Sequence, residues 1–547
     1  MFNEDATVNA NGGKYEGMDR YECRKAVVKD LEEGGWLVKI EDHEHNVGTC
    51  YRCGTTVEPM TSAQWFVKMA PLAKPAMDVV NEGKTKFVPD RFSKTYLRWM
   101  ENVHDWCISR QLWWGHRIPA FYCDDCGEMT VSKTDVCTCP KCGSKNIRQE
   151  EDVLDTWFSS ALWPFSTLGW PDKTKELDYF YPTSTLVTGY DIIFFWVARM
   201  IFSGVEHMGE TPFKTVYIHG LVRDAQGRKM SKSLGNVIDP NKVCDEMGAD
   251  IIRLWVASVD TSSDVSIDHE ILARTSDAYR RFRNTLRFLL SELEGQFEPE
   301  TDGVAFADLL PLDKLMVARL TQVQAEVDDA YASYEFPRAY RALYDFVVTE
   351  LSNVYLDALK DRLYCDKPGS LERRSAQTVL AELFSMLMRD LQPILSYTVD
   401  EAMAYAPAGC VDHQKYAALL DWYKSPITVD EANEFEGVLE ASLELRSAVT
   451  KALEDARSAG TFTKSQQVRV KAVVPAEMYA LLTGDKAVDL AEFYIVSDVE
   501  LTQGEELSVA IEAAEGECCD RCWNYRTTVG EYNGHAHICK RCAEALN

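Results

Sequence analysis

The sequence predicts a multidomain protein with an α/β part built on a parallel sheet, an α-helical bundle, a small α+β module and a cysteine-rich C-terminal module. Three observations predict this division. Strand-like runs flank a helical run between residues 185 and 219, apolar residues recur at helical spacing from 278 to 397, and paired C-x-x-C motifs occur twice. At 547 residues the chain is long enough for several domains, each with its own core.

Composition excludes several classes of protein. The formal net charge of -28 argues against non-specific nucleic-acid binding by the whole surface, so any RNA contact requires local basic faces. The longest apolar run, Ile192 to Ile201, covers about half a bilayer and contains Arg199, which predicts no membrane span. The polar start predicts neither a signal nor a transit peptide. Seventeen cysteines without a secretory signal then indicate metal sites and free thiols in a cytoplasmic protein.

Residues 1 to 95 combine polar turns with a helix predicted from Tyr21 to Glu33, which ends at Gly34-Gly35. The pair Cys50-x-x-Cys53 offers two ligands, and a structural zinc needs four. His43 and His45 could complete such a site. Alternatively, the pair is two buried thiols, or half of a site whose partner lies elsewhere.

A complete set of four thiols follows an aromatic run in which Trp99 and Trp106 are predicted core residues. The first cysteine centre consists of Cys123, Cys126, Cys139 and Cys142. Four thiolates at this spacing can close a tetrahedron around Zn²⁺, and the short loop between them has little apolar content to fold otherwise. Cys137 could replace Cys139, although the turn C-P-K-C-G favours Cys139. We expect a structural role.

A βαβ unit is predicted from the strands Thr185 to Thr188 and Thr215 to His219, with a helix after Asp191. Ligands bind at the carboxyl ends of strands in such sheets. An isolated Asp191 would be a helix N-cap. In the context of the predicted sheet, however, four residues are expected on the rim of one crevice, namely Gly189, Asp191, His219 and Gly220.

The lysine loop, Gly227 to Asn236, reads GRKMSKSLGN. Its two lysines are mobile point charges suited to phosphate oxygens, and its small residues let the backbone approach closely. By composition alone, an ordinary Lys/Ser/Gly surface turn is the alternative.

Between Ala278 and Tyr397 the apolar spacing predicts helices that each bury one face, which gives a bundle. The first of them has a basic side that is either solvated or in contact with phosphates. The apolar positions are Tyr279, Phe282, Leu286, Leu289, Met316, Leu320, Val323, Val327, Leu380, Leu383, Leu387 and Leu391, and the basic ones are Arg280, Arg281, Arg283 and Arg287.

The α+β module is predicted from a helix at Ala441 to Arg457 and strand-like runs at Val468 to Val474 and Phe493 to Val496. Cys518 precedes the second set of four thiols, and Trp523 is predicted as a packing residue or, alternatively, a base-stacking platform. The second cysteine centre consists of Cys519, Cys522, Cys539 and Cys542, with Lys540 and Arg541 inside its second pair.

The string KMSKSLGN resembles the second signature of class I aminoacyl-tRNA synthetases. Met1 to Met69, through NEDATVNANGGKYEGMDRYECRK and TSAQWFVKM, resembles the tail of the inserted editing domain of valyl-tRNA synthetases. SRQLWWGHRIP is similar to the segment where a class Ia enzyme re-enters its nucleotide-binding domain. FFWVARM and KTVYIHGLVRDAQGRKMSKS are also valyl-like. From about Val237, NVIDPNKV, ADIIRLWVASVD, SSDVSIDHEIL and nearly everything beyond resemble isoleucyl-tRNA synthetases.

This resemblance implies a domain division. Residues 1–95 would be a remnant of the editing insertion and its connection, and 96–265 the second half of a class I catalytic domain. That half would hold a partial Rossmann-like sheet and the zinc knuckle 123–142. Residues 266–430 would be the helical anticodon-binding domain, 431–512 the α+β module and 513–547 a C-terminal zinc-finger module.

The resemblance also implies roles. Lys229 and Lys232 would be catalytic, by stabilising charge on the pyrophosphate that leaves ATP. The nucleotide, as ATP with Mg²⁺, would also contact Met230, Ser231, Ser233, Gly189, Asp191, His219 and Gly220. Trp157 and Trp196 would wall the pocket for a branched aliphatic amino acid, and both cysteine centres would hold Zn²⁺. The tRNA would contact Arg280, Arg281, Arg283, Arg287, Lys540 and Arg541. The protein would be a monomer.

Valine is the first choice of amino acid and isoleucine the alternative, because selectivity lies in the catalytic pocket. The family also uses an upstream HIGH-type motif and the first half of the nucleotide-binding fold, which this sequence lacks. We therefore expect no amino-acid activation by this polypeptide unless a separate chain supplies that half. A hypothesis of another class is a non-catalytic tRNA-binding accessory protein.

Overall fold

The computed structural model describes residues 1–50, 53–231, 234–532 and 534–546. The chain forms two compact units. The first contains Met1–Asp78, Trp99–Tyr179 and Ala198–Glu210, and the second contains Val79–Arg98, Phe180–Val197 and Thr211–Asn547. Among the described residues, every helix is too short or too polar to span a lipid bilayer.

The first unit contains the N-terminal helix that its sequence predicts. Arg20–Glu33 is capped by Asp19, whose side chain accepts hydrogen bonds from the backbone N–H groups of Tyr21 and Glu22, and it ends at Gly34. Antiparallel ladders pair Phe66–Val67 with Trp106–Cys107, Ser109–Arg110 with Val153–Leu154, and Ala120–Cys123 with both Met129–Val131 and Ile147–Gln149. The helices are Ala10–Tyr15 (3-10), Thr156–Ser160, Trp163–Ser166 and Ala198–Met208, and three more have residues in both units: Ala70–Asn81, Arg91–Glu101 and Lys175–Phe180.

A buried ion pair organises the aromatic part of this unit. Asp155 lies 3.6 Å from Arg199 Nη1 and accepts a 3.1 Å hydrogen bond from Trp106 Nε1. Burial lowers the pKa of Arg199 to about 10, and its guanidinium lies 3.9 Å from the centre of the Trp106 ring. The core prediction is wrong for Trp99, because its side chain is 53 % exposed.

The second unit contains the predicted parallel sheet. Phe213–His219 lies in the centre, with Lys86–Val88 on one side and Thr183–Gly189 on the other, all parallel. Leu186, Val216 and Ile218 are buried, which explains why these strands are apolar enough to be predicted from the sequence. The segment after Gly189 begins as a 3-10 turn, Tyr190–Ile192, and continues as a π-helix, Ile193–Val197.

The bundle forms as the apolar spacing predicts. Of the twelve predicted core positions, eleven are buried and Tyr279 is half-buried. The long helices are His269–Leu293, Pro311–Ala332, Phe336–Asp345, a π-helix Phe346–Tyr355, Leu371–Leu391 and Ser396–Met403. Shorter helices before and within the bundle are Pro240–Met247, Ala249–Ser258, Pro299–Asp302, Leu356–Ala358 and Lys360–Cys365, and the short 3-10 turns are Phe306–Asp308, Ala408–Val411 and Ala417–Leu419.

The α+β module corrects one prediction. The run Phe493 to Val496 is the end of helix Leu490–Tyr494, which Asp489 caps, and the strand follows it as Asp498–Gly504. Phe493, Tyr494 and Val496 are buried and Ile495 is half-buried, so this apolar run could not be separated from a strand by composition alone. Strand Val468–Pro475 pairs in parallel with Asp498–Gly504 and antiparallel with Ser508–Ala513. The remaining elements are helices Val429–Asn433, Glu436–Ser458 and Ala476–Thr483, a 3-10 turn Ser465–Gln467, strands Glu517–Cys518 and Tyr525–Arg526, and helix Lys540–Leu546.

Candidate active site and metal centres

The rim predicted at the carboxyl ends of the strands forms. His219 is the register partner of Gly189 in the parallel ladder, and Gly220 follows directly. A side chain at Gly220 would place its Cβ 2.1 Å from the Ser263 carbonyl oxygen, so this close backbone approach requires glycine. Asp191 is exposed in the 3-10 turn, where Gly189 is the cap residue and no side chain caps, so the N-cap interpretation is wrong.

The rim residues adjoin an apolar space. His219 and Gly220 line a cavity of about 580 Å³ together with Val187, Tyr217 and Trp255. His219 Nδ1 lies 2.7 Å from the Gly220 carbonyl oxygen. This contact fixes the ring on the rim.

The lysine loop leaves the short strand Val222–Arg223, which pairs in parallel with Val265–Ser266. Lys229 is exposed, and a backbone bridge joins it to Arg223. Met230 is half-buried against the core of helices Pro240–Met247 and Ala249–Ser258. Ser231 N donates a 2.9 Å hydrogen bond to Asn236 Oδ1. Lys232 and Ser233 lie outside the described residues.

Asp224 holds this loop, and sequence reasoning missed it. Its carboxylate accepts hydrogen bonds from Arg228 N and Arg228 Nε, both at 2.8 Å, from Asn236 Nδ2 at 2.9 Å and from Gln226 N at 3.0 Å. The Asn236 amide, followed by Arg228, lowers the pKa of Asp224 to about 2. The string Asp-Ala-Gln-Gly, with Gly227 at φ +74°, is a turn signature that could have identified it.

The predicted pocket residues Trp157 and Trp196 are both half-buried, Trp157 in the first unit and Trp196 in the second. Their contact with an amino-acid side chain stays a prediction.

The first cysteine centre has the geometry of a zinc site. Its four sulfurs all lie within 4.8 Å of one another, with Cys123 and Cys139 buried. The Sγ–Sγ distances Cys123–Cys142 and Cys126–Cys139 are both 3.6 Å, close to the roughly 3.8 Å that a tetrahedron with Zn–S bonds of about 2.3 Å requires. The Cys142 backbone N–H helps to lower the pKa of Cys139 to about 7, which favours the thiolate. The residues fit Zn²⁺. Cys137 is exposed and outside the set, so Cys139 is the correct choice.

The second cysteine centre is more deeply buried. Its four sulfurs also lie within 4.8 Å of one another, and only Cys522 is partly exposed among these ligands. Cys522 Sγ and Cys539 Sγ are 3.9 Å apart, and Cys539 N donates to Cys519 Sγ at 3.3 Å. Burial raises the pKa of Cys519, but backbone N–H groups of Cys522, Cys539 and Arg521 outweigh it and lower this pKa to about 7. These residues also fit Zn²⁺.

Cys50 makes the same two backbone hydrogen bonds as a cysteine of the first centre. Cys50 N donates to Thr55 O at 2.8 Å and Gly54 N to Cys50 O at 2.8 Å, as Cys139 N does to Ser144 O and Gly143 N to Cys139 O. His43 and His45 stack on each other at 5.5 Å between ring centres. Among the described residues, metal-ligand clusters occur only at the two cysteine centres, so the histidines do not complete a site here.

The predicted tRNA contacts differ in their surroundings. The four bundle arginines, Arg280, Arg281, Arg283 and Arg287, are all exposed on helix His269–Leu293, where Arg280 lies 2.8 Å from Asp277. Lys540 is exposed. Arg541 Nη2 instead contacts both carboxylate oxygens of Asp361, at 2.6 and 2.7 Å. The packing interpretation of Trp523 is wrong, because its ring is 60 % exposed with Lys464 Nζ 5.2 Å from its centre.

Three protein-family models match successive segments of the chain. Residues 21–268 match the model of tRNA synthetases class I (I, L, M and V). Residues 313–472 match the anticodon-binding domain of tRNA ligases, and 516–545 match a zinc finger found in FPG and IleRS.

Similar curated proteins are valine–tRNA ligases. The chain is 51 % identical over 389 residues to that of Symbiobacterium thermophilum, covering 71 % of this chain and 42 % of the relative. It is 47 % identical over 457 residues to that of Carboxydothermus hydrogenoformans, covering 82 % and 51 %. The chain thus spans about half the length of these relatives. Both alignments are longer than the 236 residues predicted to be valyl-like, while the zinc-finger match agrees with the isoleucyl-like end.

A solved structure shares the fold. Mycobacterium tuberculosis methionyl-tRNA synthetase in complex with methionyl-adenylate superposes with a TM-score of 0.50 at 17 % identity, over 65 % of each chain. At that identity the likeness concerns the fold alone. With the synthetase, anticodon-binding and zinc-finger matches in this order along the sequence, the chain belongs to the class I aminoacyl-tRNA synthetases of the isoleucine, leucine, methionine and valine group.

Proposed function

We propose that this chain provides the lysine loop and the tRNA-binding end of a valine–tRNA ligase, which joins valine to its tRNA at the expense of ATP. One observation carries the proposal. The exposed Lys229 lies in a loop that follows the carboxyl ends of two parallel strands, within a segment whose relatives are valine–tRNA ligases at about 50 % identity.

The reaction proposed has two steps. The valine carboxylate attacks the α-phosphate of ATP, and pyrophosphate leaves. The acyl group of the resulting adenylate then moves to the 3′ end of tRNA, and AMP leaves. Neither step needs a nucleophilic side chain, since positioning and charge stabilisation suffice.

The lysine loop fits the first step. Lys229 and Lys232 would face the β- and γ-phosphates of ATP, which enters with Mg²⁺, and would stabilise the charge that grows on pyrophosphate. Asp224 would hold the turn at its base, so that the lysines move while the loop stays attached. The remaining nucleotide contacts we propose are Met230, Ser231, Ser233, Gly189, Asp191, His219 and Gly220.

The two cysteine centres would each hold a structural Zn²⁺ through four thiolates, with no open ligand position for chemistry. The exposed bundle arginines would contact tRNA phosphates, and Lys540 would add a charge at the C-terminal module. We propose a monomeric cytoplasmic protein. Arg541 is a weaker candidate for tRNA contact because Asp361 already binds it.

Valine is favoured over isoleucine because the matching relatives are valine–tRNA ligases and their alignments cover most of the chain. Trp157 and Trp196 would wall the side-chain pocket. Since the chain spans about half of these relatives, we propose that activation needs the N-terminal half that completes the nucleotide-binding fold.

The test is ATP–pyrophosphate exchange with valine or isoleucine. The full chain is assayed alone and mixed with the N-terminal half of the Symbiobacterium valine–tRNA ligase. We expect exchange only in the mixture, and faster exchange with valine. Exchange that depends on isoleucine instead, or no exchange from a mixture shown to associate, would contradict the proposal.

A second candidate is a non-catalytic tRNA-binding protein. The intact bundle with its exposed arginines and the closed C-terminal cysteine centre favour it, because both can act without the catalytic half. A tRNA gel shift by the chain alone, together with no exchange in the mixture, would support this candidate over the first.

A further inference from the structure

Two adjacent tryptophans, Trp113 and Trp114, lie on the surface of the first unit. Trp113 is fully exposed, Trp114 is 87 % exposed, and Leu112 before them is 60 % exposed. Among the described residues, the next most exposed tryptophan is Trp36, at 74 %. Contiguous apolar side chains of this size on a surface mark an interaction site, because their contact with water is unfavourable. Residues 112–114 form what we call the tryptophan loop.

The chain before the tryptophan loop is held by side-chain hydrogen bonds. Gln111 Nε2 donates to Asp152 Oδ2 at 2.8 Å and to Gln64 Oε1 at 3.1 Å. The same Gln64 oxygen accepts a 2.7 Å hydrogen bond from Ser109 Oγ, which in turn accepts one from Trp65 N at 2.9 Å. Gln111 is therefore fixed to two separate segments of the unit.

The chain after the tryptophan loop is held by contacts with the backbone. Arg117 donates three hydrogen bonds of 2.8 to 3.0 Å to the carbonyl oxygens of Gln149 and Glu150. Leu154 N donates to the His116 carbonyl oxygen at 2.7 Å. Since both ends are fixed, the tryptophans are presented on a short preformed loop, which loses little conformational entropy when a partner binds it.

The charges around the tryptophan loop favour a protein partner over RNA. Proteins that stack nucleotide bases on aromatic rings combine these rings with a positively charged groove for the phosphates. The two flanking arginines are instead engaged within the chain, because Arg110 Nη2 lies 3.1 Å from Asp155 and Arg117 binds backbone carbonyl oxygens. Glu150 and Asp152, in the segment that holds both ends of the loop, add negative charge.

The length of the relatives indicates which protein this partner is. The chain covers 42 % of the Symbiobacterium ligase and 51 % of the Carboxydothermus ligase, so about half of each relative lies outside the match. The tryptophan loop lies within residues 21–268, which match the class I synthetase model. The other half of such an enzyme is also the partner that the proposed function requires.

We propose that the tryptophan loop is the main contact by which the N-terminal half of the synthetase binds this chain. The inference rests on the proposed function, in which activation needs that half. Trp113 and Trp114 leave water when the half binds, and Leu112 extends the apolar surface that is buried with them. Tryptophans buried at an interface carry a large share of its binding free energy. Gln111 and Arg117 position the loop for this contact.

The experiment titrates the full chain against the fluorescently labelled N-terminal half of the Symbiobacterium valine–tRNA ligase. It measures the Kd and, in the same mixtures, valine-dependent ATP–pyrophosphate exchange. The variants are Trp113→Ala and Trp114→Ala, which should keep the wild-type melting temperature because both side chains are exposed. Trp36→Ala is the matched control, since it removes an exposed tryptophan of the same unit from a segment, residues 36–48, without helix or strand.

We expect Trp113→Ala and Trp114→Ala each to raise the Kd about thirtyfold, and Trp36→Ala to change it less than about twofold. At saturating concentrations of the N-terminal half, exchange should reach the wild-type rate in every variant, because the tryptophan loop acts in association and not in chemistry. An unchanged Kd in both loop variants would overturn the inference. Equal weakening by Trp36→Ala would overturn it as well, since it would indicate non-specific apolar contact.

Other occupants of the tryptophan loop give different results. Oligoadenylate RNA that binds wild type but not Trp113→Ala, with an unchanged Kd for the half, would assign the loop to RNA. A wild-type dimer in sedimentation that Trp113→Ala dissociates, again with an unchanged Kd, would assign it to a second copy. Each of these results would overturn the inference while wild-type binding and exchange stay intact. A wild-type chain that does not bind the half at all would refute the proposed function itself.

Discussion

In the lysine loop, Lys229 is exposed, and the carboxylate of Asp224 stabilises the turn by accepting hydrogen bonds from nearby residues. In the second cysteine centre, three of four sulfurs are buried, and contacts arrive from the helical bundle as well as from the module itself. The loop is built from neighbours within about a dozen residues. Next to the centre, Cys365 Sγ donates a hydrogen bond to the carbonyl oxygen of Arg521, which is 156 positions away in the sequence.

The difference follows from what each region must do. Charges that follow phosphate oxygens need solvent access and room to move, so their support can be confined to the base of the loop. A metal centre that replaces a hydrophobic core in a small module needs fixed ligands, and rigidity comes from burial and outer-sphere contacts. Substitutions in the loop should therefore change chemistry, and substitutions in the centre should change stability.

The largest structural effect is expected at Cys519. Cys519→Ser removes a fully buried ligand, so zinc content should fall from about two ions per chain to about one, and the C-terminal module should lose protection from proteolysis. Cys518→Ser is the matched control, because Cys518 is exposed and outside the centre. Metal analysis and limited proteolysis measure both variants. Equal zinc loss in the two variants would contradict the assignment of Cys519, and not Cys518, to the zinc site.

A smaller and local effect is expected at Asp224. Asp224→Ala should raise the hydrogen-exchange rate of the Arg228 amide about fivefold or more, because this N–H donates to the lost carboxylate. The rest of the chain should exchange as in wild type. An unchanged Arg228 rate would show that the loop does not depend on this carboxylate.

The pH dependence of hydrogen exchange at the Arg228 amide gives a second test of the role of Asp224. The pKa of Asp224 is lowered from 3.8 to about 2, so the folded loop favours the ionised form. The contribution of Asp224 is fully present above pH about 4 and is lost as the pH falls through about 2. Protection of Arg228, corrected for intrinsic exchange, should be flat from pH 8 to pH 5 and should decline only below pH 4.

The sequence predicted the regular parts of the fold well, because their patterns are local. The buried spacing from Phe282 to Leu391, the strands around Thr185 and Thr215 and both sets of four cysteines were readable from periodicity and motif spacing. The rim of the parallel sheet followed from topology. The errors at Trp99 and at Phe493 to Val496 concern apolar side chains whose burial or helix end depends on tertiary packing.

The residues that support the sites were harder to predict. Asp224 could have been found from its turn signature, since its partners are within twelve residues. The burial of Cys365 in one cluster with Cys519, Cys539 and Cys542 could not have been found in this way, because nothing in its local sequence indicates contact with cysteines so far along the chain. Contacts from distant segments depend on tertiary packing, which the spacing of residues in the sequence does not predict.

The charge of the lysine loop is the most direct test of the proposed function. Valine-dependent ATP–pyrophosphate exchange is measured in the mixture of the chain with the relative's N-terminal half, for Lys229→Ala, Lys232→Ala and the control Lys242→Ala. Lys242 is an exposed lysine in the next helix. We predict about a hundredfold slower exchange for each loop variant, wild-type exchange for the control and the same melting temperature for all. Exchange that survives both loop substitutions unchanged would contradict the account.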